Sequence, residues 1–145
     1  MCDSNSILRT AGARNAIILL VDDDPAVRDA LGMVLEAEGY QVVSAGDGRQ
    51  ALAAYPELRP DLVITDVIMP HETGLAVLTG IKRMNPAAKV VVMSGGGRTT
   101  AIDFLAMASK LGATAVIDKP CDLDELLTIV WNLLSTPTTF VDGST

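Results

Sequence analysis

Residues 16–39 read AIILLVDDDPAVRDALGMVLEAEG, and this stretch decides the fold. The apolar run from Ala16 to Val21 is short and rich in Ile, Leu and Val, which marks a buried strand rather than a helix. Three aspartates, Asp22, Asp23 and Asp24, close it. Asp24 is placed to cap a following helix, and Pro25 suits that helix's first position. Val27, Ala30, Leu31, Val34 and Leu35 then form one apolar stripe, and Gly39 supplies a stop. A buried strand feeding an amphipathic helix through a short loop is the repeating unit of an α/β fold.

Four more short apolar runs follow: Gln41 to Ala45, Leu62 to Thr65, Lys89 to Met93, and Ala113 to Ile117. All five read as buried strands, and helix-period segments alternate with them. The second helix spans about Gly48 to Tyr55, with Pro56 and Pro60 bracketing the loop beyond it. The third covers Thr73 to Met84 and stops before Pro86. The fourth, Thr99 to Leu111, follows Gly95, Gly96 and Gly97, a run that reads as a loop because each glycine loses extra backbone entropy on ordering. The fifth starts at Asp122 as cap and carries Leu123, Leu126, Leu127, Val130 and Leu134. This β-then-α order implies a parallel sheet with right-handed crossovers. Residues 1–14 and 135–145 lack periodicity and are expected to be a disordered N-terminal tail and a C-terminal tail around one domain, 15–134.

Bulk properties agree. A chain of 145 residues is long enough to bury a core without disulfides. The two cysteines, Cys2 and Cys121, offer neither a disulfide framework nor metal-ligand spacing, which suits a reducing compartment. No apolar run approaches the roughly 18 residues of a membrane span, and MCDSNSILRT lacks the order of a secretory signal. A cytoplasmic protein with no membrane partner is expected. The net charge of -7, without clustered Lys or Arg, disfavours nucleic acid. A hydrophobic fraction of 49% is high for a chain of this charge, and fits strands covered on both faces.

In a doubly wound sheet, ligands collect outside the carboxyl ends of the strands. Strand one ends in Asp22, Asp23 and Asp24, strand three in Asp66, strand four in Ser94, and strand five in Asp118, Lys119 and Pro120. Capping accounts for Asp24. It does not account for Asp22, Asp23 and Asp66, whose like charges at one edge call for a cation. An all-oxygen donor set points to magnesium, with manganese as a substitute, rather than zinc.

With these residues in view, the sequence resembles the response-regulator receiver domains, the phosphoacceptors of two-component systems. The resemblance covers Ala16 to Leu134 and rests on ILLVDDDP with its acid pair, DLVITDVIMP with Asp66, Gly74 opening the next helix, Ser94, and Lys119 followed by Pro120. It implies a flavodoxin-like five-stranded parallel sheet of order 2-1-3-4-5 with five helices. It further implies Asp66 as phosphoacceptor, with Asp22, Asp23, Asp66 and the backbone carbonyl of Ile68 around a magnesium ion. Ser94 and Lys119 would hold the phosphoryl group, and Pro120 would follow a cis peptide bond. The implied partners are a sensor histidine kinase or phosphotransfer protein and an unidentified downstream protein. The chain would act as a stand-alone, self-modifying switch rather than an enzyme on other substrates, as a monomer or weak homodimer. A pseudo-receiver that never takes phosphate is the alternative, and the complete set of site residues argues against it. A flavin-binding domain would want donors where the first loop is acidic. An aspartate-nucleophile hydrolase would expect a second acid where this chain has Ile68.

The chain departs from the family pattern at several points. The strand-five position of an aromatic switch is Val116, and the usual Phe after the Lys-Pro pair is Cys121. The longer segment between Ser94 and Lys119 implies a remodelled signalling surface. Ile129 and Trp131 lie off the centre of the fifth helix, as edge-of-core packing or as a partner surface. His71 reads as a surface residue. Ile68 and Gly96 replace groups that orient hydrolytic water, so a long-lived phosphoaspartate is expected. Replacing Ile68 by Asn should shorten the phosphoryl lifetime; an unchanged decay rate in Ile68→Asn would refute this.

Overall fold

The computed structural model describes residues 15–66, 74–94, 106–118 and 122–135. Within them run β1 (Ile17–Val21), α1 (Pro25–Ala37), β2 (Gln41–Ala45), α2 (Gly48–Leu58), β3 (Leu62–Asp66), α3 (Gly74–Met84) and β4 (Val90–Ser94). A helical stretch at 106–110 (α4), β5 (Ala115–Asp118) and α5 (Leu123–Ser135) follow. The sheet is parallel throughout and ordered β2-β1-β3-β4-β5, as expected.

Strand periodicity splits the core in two. Leu19, Val21, Val63, Val90 and Val92 face one side and pack with Ala51 and Tyr55 of α2, Val77, Leu78 and Ile81 of α3, and Ala108 of α4. Ile18, Leu20, Leu62, Ile64, Val91, Met93 and Ile117 face the other side, under Leu31 and Leu35 of α1 and Leu126 and Val130 of α5. Burial on both faces explains why the strands read as unbroken apolar runs. The edge strands are the exceptions: β2 leaves Val43 38% exposed and β5 leaves Val116 37% exposed.

Helix ends follow local chemistry. Asp24 Oδ1 accepts from Ala26 N at 3.0 Å, so α1 starts at the expected cap with Pro25 first. Asp47 caps α2 by accepting from Gln50 N at 2.8 Å, while Gln50 Oε1 reaches back to Gly46 N at 2.9 Å. α1 and α4 end alike. Gly39 (φ 102°) and Gly112 (φ 104°) turn left-handed, and the next residues, Tyr40 and Ala113, donate back to Leu35 O and Ala108 O.

Several sequence expectations change. α2 continues through Pro56 to Leu58, because a proline in a last turn removes only one helical donor, and Arg59, itself left-handed (φ 51°), closes that turn by donating to Tyr55 O at 2.8 Å. Ala113 belongs to the α4 cap rather than to β5. β4 starts at Val90, and the Lys89 side chain instead donates from Nζ to Leu133 O near the end of α5. Leu123, at the first position of α5, is 43% exposed and lies off the core. The 95–97 glycines and residues 1–14 and 136–145 lie outside the described residues, whereas Ser135, expected in the tail, is helical.

α2 and α3 pack closely enough that a Cβ on Gly80 would lie 2.6 Å from Leu52 Cδ2. Gly80→Ala is therefore expected to destabilise by about 1 kcal/mol, overpacking outweighing its helix-propensity gain. In a Leu52→Ala background the same change should stabilise by about 0.5–1 kcal/mol. Urea unfolding of the two single variants and the double variant checks the reversal of sign.

Candidate phosphoacceptor and cation site

β1 and β3 are adjacent at the centre of the sheet, with Val21 opposite Thr65. Asp22, just past β1, and Asp66, the last residue of β3, therefore stand side by side at the carboxyl edge. Register carries this edge further, because Asp66 lies opposite Met93 and Ser94 lies opposite Asp118. Residues from four strands thus end at one level. The side chains of Ser94 and Asp118, and all of Ile68, His71, Gly96, Lys119, Pro120 and Cys121, lie outside the described residues.

Asp22, Asp23 and Asp66 each offer a carboxylate oxygen, and the three oxygens lie within 4.8 Å of one another. Asp22 is 3% and Asp66 8% exposed, while Asp23 faces solvent. Two unit charges about 5 Å apart at an effective dielectric of about 20 repel by roughly 3 kcal/mol. A folded chain that holds such a cluster is shaped for a counter-charge. The donor set is all oxygen, two of its members are shielded and one is open to water, which suits a small, hard, partly hydrated divalent ion. The acid trio expected from sequence is brought together, and Asp24, expected to be a cap, is one.

Hydrogen bonds order this loop. Asp22 N donates to Ala45 O at 3.2 Å, which prolongs the β1–β2 ladder. Asp22 Oδ1 accepts from Asp24 N at 3.0 Å. Arg28 Nη1 donates to Asp22 O at 2.7 Å. Thr65, fully buried, donates from Oγ1 to Asp66 O at 3.1 Å at the end of β3. Apolar periodicity passes over Arg28, and the one cue in the sequence is a cation one turn into the helix that an acidic loop starts.

The other end of the sheet has a different character. A groove of about 500 Å³ lies between the ends of α2 and α3, lined by Tyr55, Pro56, Arg59, Pro60, Met84 and Asn85. It holds no carboxylate, so volume alone does not mark the reactive end. Lys82 Nζ is drawn to Ala88 O at 2.5 Å and Pro86 O at 3.3 Å, and burial lowers its pKa. Desolvation also lowers the Lys89 pKa, against the raising effect of Asp61. Both lysines are bound up in helix and loop ends. Ile129 and Trp131 are half-buried against the α1/α5 face of the core, which is edge-of-core packing. Among the described residues, the large apolar side chains exposed in this half of the molecule are instead Met107, Leu111, Val116 and Leu123. Among the described residues no helix is long and apolar enough to cross a membrane.

Comparison with known proteins agrees with this geometry. Residues 18–131 match the family described as the response regulator receiver domain. The chain is 40% identical over 121 residues to the DNA-binding transcriptional regulator NtrC of Bradyrhizobium sp. (strain RP501 Parasponia), covering 83% of this chain and 24% of that protein. It is 36% identical over 112 residues to sporulation initiation phosphotransferase F of Bacillus subtilis (strain 168), covering 77% of this chain and 88% of that protein. Coverage of the relatives is thus uneven: the chain spans about a quarter of NtrC and 50% of the probable regulator TcrX of Mycobacterium tuberculosis. Among solved structures, the receiver domain of NtrX from Brucella abortus superposes with a TM-score of 0.76 at 36% identity, over 82% of this chain and 98% of that one. TrrA of Thermotoga maritima, solved in complex with Mg2+ and BeF, superposes with a TM-score of 0.72 at 31% identity, over 81% of this chain and 98% of that one. Fold, strand-end carboxylates and sequence likeness lead to one conclusion: the chain belongs to the response regulator receiver domain family.

Proposed function

We propose that this receiver accepts a phosphoryl group on Asp66 from a phosphohistidine donor and passes on its state by protein contact, acting as a unit on its own. The observation that carries this reading is the convergence of Asp22, Asp23 and Asp66 within 4.8 Å at the carboxyl edge of the sheet. Asp66, anchored at the end of central β3, is the nucleophile: a carboxylate oxygen attacks phosphorus, an acyl phosphate forms, and the P–N bond to the donor histidine breaks. Asp22, Asp23 and Asp66 would hold magnesium, or manganese in its place, with the Ile68 carbonyl as a further ligand. That ion supplies charge neutralisation and orientation for the phosphoryl oxygens. Lys119, which follows the β5 residue opposite Ser94, offsets charge on the same oxygens, and Ser94 donates a hydrogen bond that favours the signalling state.

The donor is a sensor histidine kinase or a phosphotransfer protein, and the domain catalyses only its own phosphorylation and dephosphorylation. Its coverage of 88% of sporulation phosphotransferase F supports a relay or sink role, with phosphoryl passing through the domain itself. The downstream protein is read at Met107, Leu111, Val116 and Leu123 on α4, β5 and α5, which expose apolar surface, rather than at the half-buried Trp131 and Ile129. A cytoplasmic location fits a kinase-facing switch.

Intact mass after incubation with acetyl phosphate and magnesium should show one phosphoryl adduct, absent in Asp66→Asn and absent in EDTA. Failure of the wild-type protein with both acetyl phosphate and phosphorylated kinases would establish a pseudo-receiver instead. Calorimetry offers a second check. In EDTA, Asp66→Asn should melt about 3–5 °C above the wild type, because removing one repelling charge outweighs the loss of that carboxylate's other interactions by roughly 1 kcal/mol. Magnesium should stabilise the wild type by mass action and the variant much less. A lower melting point for the variant in EDTA would contradict the charge argument.

A further inference from the structure

Arg28 stands beside the acid cluster without pairing with any of its carboxylates: the hydrogen bond its side chain makes runs from Nη1 to the backbone carbonyl of Asp22 at 2.7 Å. That carbonyl sits one residue past the end of β1, and a backbone oxygen buried there requires a donor. With it, Asp22 is held at three points: its N–H by Ala45 of β2, its carbonyl by Arg28 of α1, and its carboxylate by the N–H of Asp24. The Arg28 N–H also donates to Asp24 O at 3.0 Å, in the first helical bond of α1. Residues 22–28 therefore form a closed turn, fastened at one end by helix and at the other by the guanidinium. On its outer side the guanidinium lies against the β2–α2 loop, where a Cβ on Gly46 would be 3.4 Å from Nη1.

We propose that Arg28 is a positioning residue for the cation and phosphoryl site, holding the Asp22–Asp24 turn so that the acid pair faces Asp66. This rests on the reading of the acidic cluster as a cation site. The proposal differs in sign from what charge alone would give. A fixed positive group beside three carboxylates competes with a divalent ion, so removing it would tighten binding. Removing an anchor has the opposite effect, because the turn must then be ordered when the ion binds, and partners that orient ligands typically account for about 10–100-fold in metal affinity.

Magnesium binding is measured by isothermal titration calorimetry on the full chain for wild type, Arg28→Ala, Arg28→Gln, Arg28→Lys and Asp66→Asn, with melting curves in EDTA alongside. The expected result is about tenfold weaker binding in Arg28→Ala, with partial recovery in Arg28→Gln and Arg28→Lys, each of which keeps a donor for the Asp22 carbonyl. Should Arg28→Ala fail to fold, those two variants carry the test, and each should bind more weakly than wild type. Unchanged or tighter magnesium binding in the folded Arg28 variants overturns the proposal, even if their melting points fall, since that pattern marks a purely structural hydrogen bond. Loss of binding in Asp66→Asn separates the two readings: a wild type that binds no magnesium, or an Asp66→Asn that binds as well as wild type, removes the cation site itself and Arg28's role with it.

Discussion

Repulsion between carboxylates at the edge of an apolar sheet is the constraint around which this domain is organised. Asp22 and Asp66 are nearly sealed from water, and Asp23 stands beside them. Holding like charges together opposes folding, so the surrounding chain must supply enough rigidity to keep them in place. It does so with a sheet whose five strands are all parallel and whose central members bury residues on both faces. Dense packing of this kind leaves little freedom for the strand ends to move apart. The cluster is thereby held in place as an all-oxygen donor set at the carboxyl edge of the sheet.

The rest of the molecule acts at a distance on that edge. Side-chain caps at Asp24 and Asp47 start α1 and α2 beside the site, and left-handed glycines at 39 and 112 return the chain to the opposite end of the sheet. There, Lys82 binds carbonyls of the loop before β4, and Lys89 binds the Leu133 carbonyl of α5. Both ammonium groups meet backbone carbonyls near helix ends, an arrangement that the helix dipole favours. The two ends of the sheet thus differ in kind. One is fastened by lysines to backbone oxygens, and the other gathers acids.

Function and stability also separate on the helices. At Gly80 of α3 the Leu52 side chain of α2 occupies the space that a Cβ would need. α4, β5 and the start of α5 instead leave Met107, Leu111, Val116 and Leu123 exposed to solvent. Exposed apolar residues add nothing to the core, and they are the kind of surface a partner buries. Trp131 and Ile129 belong to the core's margin because helix periodicity sets them one position to either side of buried Val130.

Much of this was legible in residue order alone. Short Val- and Ile-rich runs alternating with amphipathic segments require a parallel sheet, and acids placed immediately after strands one and three must meet once those strands are neighbours, because successive strands in such a sheet end at the same edge. Asp24, Pro25 and Gly39 mark their helix through purely local chemistry. What sequence could not decide depended on contacts between distant segments. Pro56 stays helical because Arg59 closes the turn after it, and Ala113 joins a helix cap because Gly112 turns left-handed ahead of it. Leu123 is left in solvent at the first position of α5, and β2 is half-covered because it lies at the edge. Arg28 is the clearest case. Its role depends on the carbonyl of Asp22 just past the end of β1, and only the folded chain brings that oxygen within reach of the guanidinium.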